Sequence, residues 1–232
     1  MSQVESGRPA PLRNQFVDVT REVLFGRVMP RYLLGRLEAH IAECMPGRER
    51  ELIARIEAEI GPIEDANRDA FPDHAGQDLL GISSAMLAAY RVLAPEIGDE
   101  ERTIELLRHV ARGFGQRATR LGTRLIVRKR EESLGTIEDY FRATVPVLGE
   151  AWDVEYERTQ RSFEMRFTRC GFHDFMVRNG VGSLTTAFCA WDRVWMDDID
   201  PERDGIRAER PTTLGSGGDA CPFQFKAVEG EQ

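Results

Sequence analysis

The stretch Trp152–Cys170, WDVEYERTQRSFEMRFTRC, decides the fold of this 232-residue chain. Apolar and polar residues alternate along it on both sides of a polar break at positions 159–161. Phe163, Met165 and Phe167 fall on one face of the second half. Alternation with a period of two is typical of half-buried strands, so the stretch predicts a β-hairpin.

Before this hairpin the apolar residues recur at spacings close to three and four, which predicts a mostly helical region over residues 15–150. Glycine and proline commonly end helices, whereas aspartate and threonine commonly cap their first turn. The residues expected to bound these helices are Gly61, Pro62 and Pro95 as stops and Asp99 and Thr136 as N-caps.

After the hairpin, the segment 171–200 predicts a short helix, a glycine hinge and a longer helix. GIRAERPTTL (Gly205–Leu214) and CPFQFKAV (Cys221–Val228) predict a closing pair of strands. The expected fold is therefore α+β, with a helical N-terminal half packed on a C-terminal antiparallel sheet that carries an inserted helical pair. Residues 1–14 are expected to form a flexible arm and residues 15–232 a single domain, whose region 151–228 carries the sheet and the site.

Composition narrows the classes of partner. The net charge of -8 argues against a nucleic-acid surface and against anionic membranes, both of which need basic patches. No segment approaches the roughly 20 apolar residues of a membrane span, and the first residues lack the pattern of a secretory signal. A cytoplasmic protein with reduced thiols and a small-molecule substrate is expected. The sequence leaves a homo-oligomer open.

Three of the four cysteines fall after residue 169, each beside polar residues. Cys170 ends a predicted strand, with His173 one helical turn later. Cys189 and Asp192 are three apart on a predicted helix and therefore share a face. Cys221 opens the last strand. This order of short motifs predicts that the functional site lies in the C-terminal region.

The same motifs resemble the L-2-amino-thiazoline-4-carboxylic acid hydrolase family over roughly residues 150–228. The matching segments are Arg169-Cys170, Cys189–Asp192, Arg210–Thr213, Gly217 or Gly218, and Cys221–Phe225. The resemblance implies hydrolysis of a C–N bond in a cyclic amidine-like ring. No cofactor is firmly implied, and zinc is the alternative.

Opening such a ring needs a nucleophile, a proton donor for the departing nitrogen, and groups that hold the substrate. A cysteine thiolate or an activated water can attack, and Cys189 is preferred over Cys170 because Asp192 lies on its face. His173 suits acid/base work, with Asp192 to orient it or to activate water. The remaining candidates are substrate-binding groups: Arg210 for a carboxylate, Thr212 and Thr213 as hydroxyls, and Cys221, for which a place in the core is an equal alternative.

Two other interpretations stay open. Cys170, His173, Cys189 and Cys221 together offer three thiolates and one imidazole, which is an acceptable zinc set, although tight Cys-x-x-Cys knuckles are absent. The strand–helix–helix–strand order also looks like the 4-vinyl reductase type of small-molecule-binding or sensor domain, and a fold alone does not settle function.

Overall fold

The structure, a computed structural model, describes residues 28–113, 121, 123–124 and 133–228. Five helices precede the sheet in this part of the chain: α1 Met29–Cys44, α2 Glu49–Ala66, α3 His74–Ile97, α4 Glu100–Arg112 and α5 Ser133–Thr144. The C-terminal part contains β1 Asp153–Arg158, β2 Ser162–Arg169, α6 Gly171–Arg178, α7 Thr185–Met196, the one-turn α8 Pro201–Asp204, β3 Ile206–Glu209 and β4 Cys221–Ala227. The predicted α+β class is confirmed. The arm predicted for residues 1–14 lies outside the described residues.

The four described strands form one antiparallel sheet in the order β1-β2-β4-β3. The predicted hairpin is confirmed as β1 and β2, and the predicted closing pair as β3 and β4. Phe163 pairs with Phe225, and Phe167 pairs with Cys221 at the opposite end of the same register. These side chains are buried on one sheet face, against α5 and Trp195 of α7. Burial of each such aromatic side chain contributes about 2–3 kcal/mol.

The helical half has its own core, in which α3 is the central element. Most residues of α3 are buried, and it packs against α1, α2 and α4. Leu148 and Trp152 pack against both this helical core and the core of the sheet. The connection between the helical region and the first strand therefore joins the two apolar clusters.

Both predicted proline stops are wrong. Helix α2 continues through Gly61 and Pro62, and α3 continues through Pro95 to Ile97. An internal proline costs about 3 kcal/mol because it removes a hydrogen bond and crowds the preceding turn. In α2 this cost is offset by the burial of Ile63 and by the Asn67 side chain, whose amide donates to the Ile63 carbonyl oxygen at 2.8 Å.

The two predicted N-caps have different outcomes. The Asp99 carboxylate accepts a hydrogen bond from the Arg102 backbone N–H at 3.0 Å, so the predicted cap of α4 is confirmed. Thr136 lies inside α5, which includes Ser133, so the predicted boundary is wrong. The Ser133 hydroxyl donates instead to the Asp204 carbonyl oxygen, which joins the start of this helix to the turn before β3.

Candidate active site

Three elements bring the candidate residues together. The end of β2 supplies Cys170, helix α7 supplies Cys189 and Asp192, and the connection between β3 and β4 supplies Arg210. The β2–β4 pairing places Cys221 opposite Phe167, three residues before Cys170. The site therefore lies where α7 crosses the connection between the last two strands.

Arg210 and Asp192 form the central ion pair of this site. The Arg210 Nη1 donates to Asp192 Oδ2 at 3.0 Å, and its Nη2 donates to the Cys189 carbonyl oxygen at 2.5 Å. The guanidinium also lies over the Phe223 ring, 4.8 Å from its centroid. Its side chain is only 5% exposed, whereas that of Asp192 is 39% exposed. Arg210 thus fixes α7 to the sheet and holds a carboxylate that solvent can reach.

Burial raises the pKa of the Asp192 carboxyl, and the charge of Arg210 opposes that rise. The elevated pKa makes Asp192 a stronger base than an ordinary surface aspartate. Of the sequence candidates, it is the group whose position best suits proton transfer.

The Cys170 and Cys189 thiols resist ionisation. Burial raises the pKa of Cys170 to about 12, and the charges of Cys189, Cys221 and Asp192 add to the rise. Burial likewise raises the pKa of Cys189 to about 11, although Arg210 lowers it. These mutual effects show that the four acidic groups lie within electrostatic reach of one another.

Cys221 has the position of a core residue. Its side chain is buried within the sheet's apolar cluster, and its Sγ accepts a hydrogen bond from the Leu214 backbone N–H at 3.1 Å. Burial raises the pKa of its thiol. Of the two interpretations of Cys221, the core residue agrees better with this environment than the substrate-binding group does.

The connection between β3 and β4 is held by its own hydrogen bonds. The Thr213 side chain accepts from the Ser216 N–H at 3.1 Å, and the Ser216 hydroxyl accepts from the Thr213 N–H at 3.0 Å. Gly217 has a φ of 87°, and a Cβ on Gly218 would lie 2.2 Å from the Thr212 Oγ1. The loop therefore needs its glycines for a turn and a close approach, as the strand-to-strand connection predicts.

His173 is placed beside this site rather than in its centre. Its Nδ1 lies 3.3 Å from the hydroxyl of Thr185, the first residue of α7. The Asp192 carboxylate is paired with Arg210, so its orientation of the His173 imidazole stays a prediction. Thr185 and Phe223 also neighbour the site, and the sequence did not predict this. The alternation of the last strand indicates only a core position for Phe223, and no sequence signal indicates a role for Thr185.

The four residues of the alternative zinc set do not form a preassembled metal site. Among the described residues, no three or more His, Cys, Asp or Glu side chains stand at ligating positions around a common point. Zinc binding by Cys170, His173, Cys189 and Cys221 would thus require side-chain movement, and it stays a prediction.

The raised thiol pKa values predict slow alkylation of the site. A thiol with a pKa of about 11 is roughly one part in ten thousand ionised at pH 7, and only the thiolate reacts. With iodoacetamide at neutral pH, we expect the exposed Cys44 to be labelled first and Cys170 and Cys189 much more slowly, with their rates rising tenfold per pH unit. Peptide mass spectrometry over a pH series measures this. Rapid labelling of Cys189 at pH 7 would instead indicate a preformed nucleophile.

The fold and site define an α+β protein with a carboxylate–guanidinium pair and two half-buried thiols, one at the end of β2 and one on α7. Residues 82–225, more than half of the chain, match the model of the L-2-amino-thiazoline-4-carboxylic acid hydrolase family. The chain belongs to this family. The match begins well before residue 150, so it includes most of α3 and all of α4 as well as the region on which the sequence resemblance rests.

Other comparisons add little. No curated protein matches the chain. A similar solved structure is the Fe(II) unliganded H-NOX protein from K. algicida, at 14% identity over 86% of this chain and 97% of that chain. Its TM-score of 0.34 is too low to carry an argument about fold or function. No helix in the described part of the chain is long and apolar enough to cross a membrane.

Proposed function

We propose that the protein is a hydrolase that opens a small carboxylated heterocycle of the aminothiazoline type, with Asp192 as general base. Membership of the family named for such a hydrolase supports the reaction class. The single observation that carries the assignment within the chain is the solvent-accessible carboxylate of Asp192, held by the nearly buried Arg210 in the matched segment.

The proposed reaction adds one water to the ring carbon that lies between nitrogen and sulfur. Asp192 takes a proton from the attacking water as the oxygen–carbon bond forms. The ring carbon–nitrogen bond then breaks as the added hydroxyl becomes a carbonyl. Both protons of the water, one carried by the Asp192 carboxyl and one from the added hydroxyl, end on the departing nitrogen, which leaves as a primary amine. The sulfur–carbon bond stays intact, so the product is an open-chain thiocarbamate, and Asp192 returns to its ionised form.

Attack by water agrees better with the site than attack by a preformed thiolate. The pKa values of about 12 for Cys170 and 11 for Cys189 leave both thiols protonated at neutral pH. The pKa of Asp192 by contrast is raised above that of an ordinary aspartate, which makes its carboxylate a stronger base. In this mechanism the two thiols line the reacting centre, and His173 of α6, whose Nδ1 lies 3.3 Å from the Thr185 hydroxyl at the start of α7, assists proton transfer.

Substrate binding is assigned differently from the sequence expectation. Two nitrogen atoms of the Arg210 guanidinium already donate hydrogen bonds, one to Asp192 and one to the Cys189 carbonyl oxygen. Since the side chain is only 5% exposed, little of the guanidinium is available to bind a substrate carboxylate. The Thr213 hydroxyl is likewise engaged with Ser216. Thr212 is partly exposed and lies next to Thr213 in the chain. We therefore assign substrate binding to the Thr212 hydroxyl.

Turnover of L-2-amino-thiazoline-4-carboxylate by the purified chain tests the proposal directly. We expect ring opening with incorporation of one solvent oxygen, measured by mass spectrometry in ¹⁸O-labelled water. Quenched samples should show no covalent adduct on Cys189 or Cys170; a trapped adduct would replace water by a thiol nucleophile. Full activity in Cys170→Ala, Cys189→Ala and Asp192→Asn alike would show that the site is wrongly placed.

A further inference from the structure

A second group of chemically active side chains lies on the helical half, away from the candidate active site. His40 and Cys44 are four residues apart on α1, and His109 lies near the end of α4. His109 is distant along the chain from the other two residues. The structure packs α1 against α4 and places the three side chains together.

The geometry of the first two residues is that of a metal-chelating pair. The Cys44 Sγ lies 3.4 Å from His40 Nε2. In a tetrahedral site with metal–sulfur and metal–nitrogen bonds of about 2.3 and 2.0 Å, the two donor atoms lie about 3.5 Å apart. Ligands four residues apart on a helix share one face, as the two histidines of helical zinc motifs do.

The other nitrogen of His40 lies near a carboxylate. Its Nδ1 is 3.9 Å from Glu43 Oε2, and a small rotation of the Glu43 side chain would bring the two atoms to hydrogen-bond distance, with the proton on Nδ1 and the Nε2 lone pair free for a metal. A carboxylate behind the ligating histidine raises its basicity and fixes its orientation. Glu43 therefore belongs to the arrangement as a second layer around the metal.

His109 supplies the third ligand from the neighbouring helix. Its ring centroid lies 5.8 Å from that of His40. Two imidazoles on one tetrahedral ion have centroids about 5–6 Å apart, so the rings are already at the required separation. The three donors do not surround a common point. Because His109 and Cys44 are exposed and His40 is 28% exposed, metal binding at this place requires their side chains to rotate toward one another.

We infer that His40, Cys44 and His109 form a binding site for a borderline-soft divalent transition metal such as Zn²⁺. The Cys44 thiol loses its proton to solvent on binding, the two imidazoles bind as neutral ligands, and water fills the fourth position. Soft sulfur with two imidazoles selects such ions over Mg²⁺ or Ca²⁺, which prefer oxygen ligands. The site is independent of the proposed hydrolase reaction.

Titration of the reduced, full-length chain with Co²⁺ tests this inference. Thiolate ligation gives a near-ultraviolet charge-transfer band, and tetrahedral geometry gives intense visible bands. We expect both bands in the wild type, displacement by Zn²⁺ but not by Mg²⁺, and loss of the charge-transfer band in Cys44→Ser. His40→Ala and His109→Ala should weaken binding at least tenfold, and Glu43→Gln by about tenfold.

Matched variants make the result decisive. Cys170→Ser, Cys189→Ser and His74→Ala should leave the cobalt spectrum unchanged, since these residues lie outside the proposed site. A band that survives Cys44→Ser and disappears in Cys189→Ser would place the metal in the alternative zinc set and overturn the inference. Absence of any thiolate band in the wild type would also overturn it, and unchanged affinity in His109→Ala would remove His109 from the site.

Discussion

Asp192→Asn should lower the rate of ring opening by roughly 100- to 10,000-fold, the usual effect of removing a general base. The amide has the same shape and can still accept one hydrogen bond from Arg210, but it cannot take the proton of the attacking water. We expect kcat to fall much more than KM changes. Initial rates over a range of substrate concentrations measure both quantities.

The pH dependence supplies a second test of the same residue. Only the ionised carboxylate can act as a base, so activity should fall as the pH drops through the Asp192 pKa. Burial raises that pKa, and the acid limb of the pH–rate profile should therefore lie above the ordinary aspartate value of 3.8. The limb should disappear from the residual activity of Asp192→Asn.

Asp197→Asn is the matched control. Asp197 follows the same helix and also accepts a hydrogen bond from an arginine, with Arg193 Nε at 2.8 Å from its Oδ1, but this pair is exposed and outside the site. Its substitution should leave both kcat and the acid limb unchanged. Equal losses in the two variants would mean that a general effect on α7, rather than a base at position 192, explains the result.

Arg210→Ala should destabilise the protein by about 3 kcal/mol, the low end of the cost of breaking a buried ion pair. The side chain is 5% exposed, and its removal takes from the Cys189 carbonyl oxygen its side-chain donor and from the Phe223 ring its cation. Partial exposure of Asp192 keeps the cost at that low end. Chemical denaturation measures the free energy of unfolding.

The same substitution should change the acid limb of the activity profile. Arg210 lowers the pKa of Asp192, so without this charge the carboxylate takes up its proton at a higher pH. The acid limb should move to higher pH, and kcat should fall because Asp192 is no longer held. Arg210→Lys keeps the charge but reaches fewer acceptors, so we expect an intermediate stability and a smaller shift; this variant also serves if Arg210→Ala does not fold.

Arg193→Ala is the control, because Arg193 follows Asp192 on α7 and forms an exposed ion pair outside the site. Its exposed pair with Asp197 should contribute less than about 1 kcal/mol and should not affect the pH profile. If Arg210→Lys raised KM strongly with an unchanged acid limb, Arg210 would bind the substrate carboxylate, as its sequence context suggests, and would not be a positioning residue for Asp192.

The sequence by itself determined the features that depend on neighbours along the chain. The period-two alternation of Trp152–Cys170 specifies the hairpin because each strand must bury one face. The spacing of Cys189 and Asp192 places them on one side of a helix. Asp99 caps α4 by accepting a hydrogen bond from the backbone N–H of Arg102, three residues later. Such contacts involve residues a few positions apart, so their geometry follows from local structure.

Only the tertiary structure decided which distant groups meet. Helix α2 continues through Pro62 because burial of Ile63 outweighs a local preference. Asp192 is paired with Arg210 rather than with His173 because the connection after β3 crosses α7. His109 reaches His40 only because α1 packs on α4. Burial and long-range pairing set these contacts and the raised pKa values that follow, and neither can be read from the order of residues in a single chain.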